Sequence, residues 1–399
     1  MNERNKPVAA AELQKRIEKL QNAMAARGMD GVLVVQKTDL FYFSGTGQQG
    51  WLYVPVEGDP VLMVVKDYKR AQEESSLLNI EFIGSAKKIP GVLGEYGFVI
   101  PSLLGMELDV LPVNLFNLYC RIFDKAEVVD ISTEIRLIRA VKSDFEIAKI
   151  KDAARLSDKL AAKVPDLLVA GKSEIELAGE LEGYARSLGH QGIVRMRLWG
   201  SELFFGHLLS GPGAAVASYL ASPTGGEGVS VLVAQGAGYR KIGKGEPVLV
   251  DYVFAKEGYL SDHARIFSIG EIADELKVAH EAMLEIQEIV KKLARPGVET
   301  GALYSEMIEL AAGKGYADFF MGVGESRIRF TGHGLGLELD EFPFIAKGQK
   351  LTLAEGMVIA LEPKVIFPGK GVVGIENTHL VAAEGLQPLT KYPDIIQVV

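Results

Sequence analysis

The sequence predicts a two-domain chain of the α/β (α+β) class, and three observations carry that prediction. Its 399 residues exceed what one ordinary hydrophobic core organises. Strand-like apolar runs alternate along it with segments of helical periodicity. A helix-start signature, SDFE at residues 143–146, opens a second unit well into the chain. The boundary is expected near residues 130 to 142, giving domains 1–135 and 136–399.

The first element is an amphipathic helix over residues 12 to 27, because Leu13, Ile17, Leu20 and Met24 recur at spacings of three and four. Four apolar runs follow, GVLVVQ, DLFYFSG, GWLYVP and PVLMVV, all read as strands, with EGDP as the turn between the last two. No cluster of catalytic residue types occurs up to about residue 135, so this unit reads as a scaffold or oligomerisation domain. Ser143 and Glu146 form a capping-box pattern ahead of a helix reaching about residue 168, and another helix spans about 173 to 188. Helices are again expected over 274 to 294 and 300 to 314. Ala279, Met283, Ile286, Val290 and Leu293 line one face of the first.

The formal charge of −9 and pI near 5.4 disfavour a nucleic-acid partner, which needs a basic stripe. Cys120 is the only cysteine, so neither an internal disulfide nor a cysteine metal cluster can form, and its apolar setting reads as a small buried hydrophobe. The N-terminal stretch mixes charges without a continuous apolar segment, and no run reaches the ~18 residues of a membrane span. These points place the protein in the cytoplasm, away from membranes. GYRKIGKG (238–245) nearly matches a phosphate-binding loop, but it ends in glycine and precedes a strand, so nucleotide binding is not expected.

The chemistry concentrates in carboxylates that interrupt apolar strands. PVLVDYVFAKEGYLSDHARIF reads as a hairpin turning at Lys256 and Glu257, with Asp251 and Asp262 opposite or within one position of it. Like charges so placed repel unless a cation or a proton lies between them. Glu362 in GMVIALEPKVIF and Glu376 in GVVGIENTHLV likewise break apolar runs, and His333 stands between glycines in GHGLGLELDEFP. Two Asp, two Glu and one His suit Mn, Fe, Co or Zn in a site of two divalent metal ions.

In order and setting these five residues resemble the pita-bread metallopeptidases, which include Xaa-Pro aminopeptidase, prolidase, methionine aminopeptidase and creatinase. The resemblance spans nearly the whole chain. It implies a creatinase-like N-terminal domain and a C-terminal pita-bread domain of two pseudo-symmetric halves around a curved sheet. It also implies metal ligation by Asp251, Asp262, His333, Glu362 and Glu376, with a metal-bridging hydroxide attacking a peptide carbonyl and Glu362 assisting proton transfer. The implied reaction removes an N-terminal residue that precedes proline, and the implied assembly is a homodimer.

Three positions depart from the family pattern. The triplet expected to carry a second histidine reads LDE, placing Asp340 there; no histidine follows the SG of LLSGPGAAVASYL, the nearest being His207; and Gly374 stands where an arginine often precedes the last glutamate. Asp340 is therefore expected to take over part of the histidine's work, and His207 to replace a substrate contact. The same departures keep two alternatives open: hydrolysis of a small amide, or a lyase reaction, in the manner of ectoine hydrolase, and a non-catalytic binding protein.

Overall fold

The computed structural model describes residues 7–399; the first six, part of the charged N-terminal stretch read above, lie outside it. The chain divides into two compact units, one ending at Arg139 and one running from Ala140 to Val399.

The first unit is a six-stranded sheet in the order β4-β3-β2-β1-β5-β6. Its strands are β1 (Gly31–Val34), β2 (Gly50–Pro55), β3 (Val61–Val64), β4 (Asn79–Phe82), β5 (Leu103–Met106) and β6 (Glu127–Asp130). The helix Ala10–Ala26 buries Leu13, Ile17, Leu20 and Met24, the face that the spacing predicts. DLFYFSG, expected as a strand, lies instead in the helix Lys37–Ser44. The run lacks the alternation of a half-buried strand. Its ends carry helix stops and starts: the Gln36 side chain accepts from Asp39 N, and Gly45 takes the left-handed conformation at the C-terminus (φ 77°). Cys120 is half-buried on the helix Val113–Ile122.

In the second unit, the helix Asp144–Leu167 opens with Ser143 and Glu146 in a reciprocal capping box, and Glu174–Ser187 opens in the same way with Ser173 and Glu176. These helices pack through Leu156, Leu160, Leu177 and Leu181 against a sheet ordered β19-β11-β8-β7. Its strands are β7 (Gly206–Ser210), β8 (Val248–Tyr252), β11 (Ala264–Ser268) and β19 (Gln397–Val398); a short ribbon of β9 (Phe254–Lys256) and β10 (Tyr259–Ser261) extends the hairpin. A second helix pair, Asp274–Leu293 and Thr300–Gly313, shares a core with a sheet ordered β13-β12-β14-β17-β18. That sheet comprises β12 (Phe330–Gly334), β13 (Glu341–Ala346), β14 (Val358–Leu361), β17 (Asn377–Ala382) and β18 (Gly385–Pro388), and a ribbon of β15 (Lys364–Phe367) and β16 (Gly371–Gly374) completes the unit. Each half thus repeats one plan, two helices followed by a sheet. Leu293, expected on the buried face, sits at the last turn of its helix and is exposed.

His190 shows how tightly the first half is set. Its Nε2 donates to Val253 O at 3.0 Å, its Nδ1 accepts from Gly192 N at 2.9 Å, and its ring stacks on Phe205 at 4.2 Å. Both nitrogens are used only by the neutral ring. Burial, outweighing the Val253 bond, pushes its pKa down to about 4. The unfolded chain, with an ordinary histidine near 6.5, takes up the proton first as pH falls. His190 therefore contributes its full stability above pH ~6.5 and loses it as the pH approaches 4. Urea titrations at pH 7 and 5 should differ by about 1 to 2 kcal/mol from this residue after allowance for screening, a difference that His190→Gln should remove.

Candidate metal centre

Two hairpins and one glycine-flanked strand deliver the five predicted ligands to one end of the seam between the two sheets. Ala264 and Glu376 form the bridge that joins the sheets, through Ala264 N to Glu376 O at 3.2 Å and Glu376 N to Ala264 O at 3.4 Å. Thr378 Oγ1 adds a stitch, accepting from Asp262 N at 2.9 Å and donating to Asp262 O at 2.8 Å. The buried Arg265 guanidinium donates to Glu376 O at 3.0 Å and to Asn377 Oδ1 at 2.8 Å, which locks the same crossing from the other side. Desolvation lowers the Arg265 pKa to about 10, leaving it charged.

The first hairpin departs from the expected register. Its turn residues are Glu257 and Gly258, both at positive φ (52° and 90°), as a two-residue turn of this hand requires. Lys256 consequently pairs with Tyr259, and Asp251 with Ala264. Asp262 is two positions from direct opposition to Asp251. An even offset keeps both on one face, so the two carboxylates still converge, diagonally.

His333 lies on β12 beside Ala360 of β14 and Phe344 of β13. The flanking glycines are required by close approach: a Cβ on Gly332 would stand 2.5 Å from Ala360 O, and one on Gly334 would stand 2.1 Å from Phe342 O. His333 Nε2 lies 3.6 Å from Asp262 Oδ2, 3.8 Å from Glu376 Oε1 and 4.0 Å from Glu362 Oε1. These separations are long for hydrogen bonds, yet within the ~4.2 Å that two donors each ~2.1 Å from a shared ion can span. Asp262, His333 and Glu376 each offer a ligand atom within 4.8 Å of the others'. The donor set therefore fits one divalent ion at this position. Burial makes two of these carboxylates resist ionisation. Burial first, then Asp251, raises the Asp262 pKa to about 7, and burial with the Asp262 charge raises that of Glu376 well above the usual range.

On the other side of the same carboxylates stands a residue to which sequence reasoning gave no role. Lys364, only 1% exposed, places its Nζ 2.6 Å from Glu376 Oε2, 2.9 Å from Asp251 Oδ2 and 3.0 Å from Glu362 Oε2. Burial alone would lower its pKa. The charges of Asp251, Glu362 and Glu376 outweigh that and hold the ammonium well above its ordinary value. The signal was present in EPKVIF: a lysine two residues after Glu362 on a strand shares its face, and an apolar run gives it no route to water.

The cavity above these residues, about 340 Å³, is floored by His207, Asp251, Asp262, His333, Glu362 and Glu376. Leu220, Phe330 and Phe344 contribute apolar wall, and Arg329 and Asp340 polar wall. His207, on β7 beside Asp251, is buried, and its Nε2 has no hydrogen-bond partner among the described residues. Burial lowers its pKa, which keeps the ring neutral.

Asp340 accepts from Arg197 N and Leu198 N, one on each carboxylate oxygen, both at 2.7 Å. Leu339 N to Arg195 O, at 2.9 Å, and an Arg197–Glu338 ion pair at 3.8 Å tie the same two segments together. Glu341 accepts from Leu337 N and Glu338 N and pairs with Lys142 at 2.9 Å. The LDE triplet thus holds one wall of the cavity through its carboxylates. Asp340→Ala should speed hydrogen exchange at the Arg197 and Leu198 amides by about tenfold or more, while the bound metal content stays as in the wild type.

Fold and ligand set define the class, a metallopeptidase of the pita-bread type. The chain belongs to metallopeptidase family M24, whose model matches residues 148–383, and the Creatinase/Prolidase N-terminal domain matches residues 16–141. It is 29% identical over 383 residues to the Xaa-Pro dipeptidase of Pyrococcus furiosus, covering 95% of this chain and 98% of that one. Among solved structures it resembles an Xaa-Pro dipeptidase from Bacillus anthracis (TM-score 0.82, 25% identity, 97% of this chain and 100% of that one). It also resembles an X-Pro aminopeptidase from Thermotoga maritima (TM-score 0.80, 26% identity, 96% and 99%). Membership of this family implies dependence on divalent metal.

Proposed function

We propose that this protein is a divalent-metal-dependent peptidase of the Xaa-Pro dipeptidase or aminopeptidase kind, cleaving the bond between an N-terminal residue and proline. The observation that carries the reading is the convergence of Asp262, His333, Glu362 and Glu376 around one point on the cavity floor. Asp251 stands beside them through its shared contact with Lys364. The names of the relatives support the substrate class. A divalent ion of the Mn, Co, Zn or Fe group would supply Lewis acidity at the scissile carbonyl and ease deprotonation of the attacking water.

The chain's own residues divide the remaining work. Glu362 turns Oε1 toward His333 and Oε2 toward Lys364, so it can ligate and also exchange a proton with the reacting groups. The neutral His207, which lines the cavity beside Asp251 and whose Nε2 has no hydrogen-bond partner among the described residues, contacts the substrate backbone. The apolar wall of Leu220, Phe330 and Phe344 suits a proline ring. Arg329, also on the cavity wall, supplies positive charge for the carboxylate of a short peptide.

A second reading follows from Asp340, whose two oxygens are both given to backbone amides in place of an imidazole. With that proton carrier gone, small amides become alternative substrates, or a lyase reaction replaces hydrolysis. No helix among the described residues is long and apolar enough to cross a membrane. Placement in the cytoplasm, which the single cysteine suits, and assembly as a homodimer, suggested by the family resemblance, complete the proposal.

Metal-loaded protein should hydrolyse Xaa-Pro dipeptides or longer Xaa-Pro peptides, and a chelator should abolish the activity. Glu362→Gln should lower kcat/KM by ~10²- to 10⁴-fold. His207→Ala should raise KM by about tenfold with kcat and bound metal little changed. Turnover of small cyclic amides, with every Xaa-Pro peptide left intact, would favour the second reading.

A further inference from the structure

We propose that this protein binds a single divalent ion, and that the ammonium of Lys364 permanently occupies the position where a second ion would sit. The proposal rests on the metal-dependent reading above and changes its stoichiometry from the two ions that the ligand types suggest.

The geometry divides the carboxylates by oxygen. Glu362 and Glu376 each direct one oxygen toward His333 Nε2 and the other toward Lys364 Nζ. A carboxylate that bridges two cations splits its oxygens in this way. On the His333 side the spacings of 3.6, 3.8 and 4.0 Å are those that ligands of one shared ion can span. On the Lys364 side they are direct hydrogen bonds of 2.6, 2.9 and 3.0 Å. An ammonium has three N–H donors, and three carboxylates take them all, so the oxygen that each would offer a second ion is already engaged. Asp251 bonds to Lys364 and is tied to the rest of the centre through it.

Repulsion points the same way. A second divalent ion placed among Asp251, Glu362 and Glu376 would lie directly against the Lys364 ammonium, which has almost no exposure to solvent to screen the two charges from each other.

The backbone is shaped for this lysine. Lys364 pairs with Gly374 across the β15–β16 ribbon. A Cβ on Gly374 would fall 2.3 Å from Pro363 O, 2.7 Å from Lys364 Cα and 3.1 Å from Lys364 Cγ, and φ at Gly374 is +145°. The position where the resembled family often carries arginine is therefore bare, and its missing side chain leaves the room that the Lys364 stem occupies. The two departures are one change seen on paired strands.

The test is metal stoichiometry and spectroscopy on the full chain, independent of turnover. After loading with Mn²⁺ and desalting, elemental analysis should find about one manganese per chain. Its paramagnetic resonance should be the six-line spectrum of an isolated ion, without the multiline coupling of a pair ~3.5 to 4 Å apart. Lys364→Ala, and Lys364→Met as a variant of similar volume, should each fold with the wild-type circular dichroism spectrum. Lys364→Ala should then take up about two manganese ions with a coupled spectrum. Two coupled ions in the wild type would overturn the proposal and leave the peptidase reading intact. A Lys364→Ala protein that still holds one would also overturn it, because the lysine would not be what excludes the second. No bound manganese in the wild type would overturn both this proposal and the metal-dependent reading beneath it. Should Lys364→Ala not fold, the wild-type count and spectrum still decide.

Discussion

Gathering four carboxylates at one point, three of them buried and Asp251 partly so, is the constraint around which the second unit is built. Each would cost several kcal/mol if left charged and unpaired in a low-dielectric interior, and together they repel. The chain meets that cost with a lysine bonded to three of them, and with a donor geometry on the opposite side that suits a cation. Binding of a cation there is then linked to folding, since the site it completes exists only in the folded chain.

Converging side chains need backbones that do not drift, and the seam between the two sheets provides them. Two main-chain bonds at Ala264 and Glu376, the reciprocal Thr378–Asp262 pair and the Arg265 guanidinium all cross within a few residues of the ligands. The segments carrying Asp262 and Glu376 cannot separate without breaking this set together. Each helix pair lies behind its own sheet and supplies core rather than chemistry. Repeating one plan in two halves thus yields a single site at their junction, to which neither half contributes a complete ligand set.

Much of the site was legible because strand interiors are informative about exceptions. An aspartate in VLVDYVF or a glutamate in VIALEP stands out against its apolar neighbours, and alternation says which residues share its face. The same logic gave Asp251 and Asp262 a common face even though the turn was placed one residue early, since moving a two-residue turn by one position shifts cross-strand partners by two. DLFYFSG was misread because a short apolar run carries no period of its own, and only the Gln36 cap and the Gly45 stop distinguish helix from strand. Lys364 escaped notice for a different reason. The sequence was searched for groups that bind cations, and a lysine in an apolar strand was passed over although burial obliges it to find carboxylates.

The departures from the family pattern follow from two local solutions. Asp340 and Glu341 spend their charge on backbone amides and on Lys142, so the wall that a histidine would give to the substrate is here a structural clamp on residues 195–198. Gly374 and Lys364 are paired across a ribbon in which any side chain at 374 collides with the main chain at 363 and 364. Restoring a larger residue at 374 alone would displace the Lys364 stem and leave three carboxylates short of a cation, while removing Lys364 alone would leave a space lined by negative charge. The coupling between a strained glycine and a buried lysine is thus a physical reason for the two to be kept or lost together, and it ties the composition of the metal centre to the local geometry of one two-stranded ribbon.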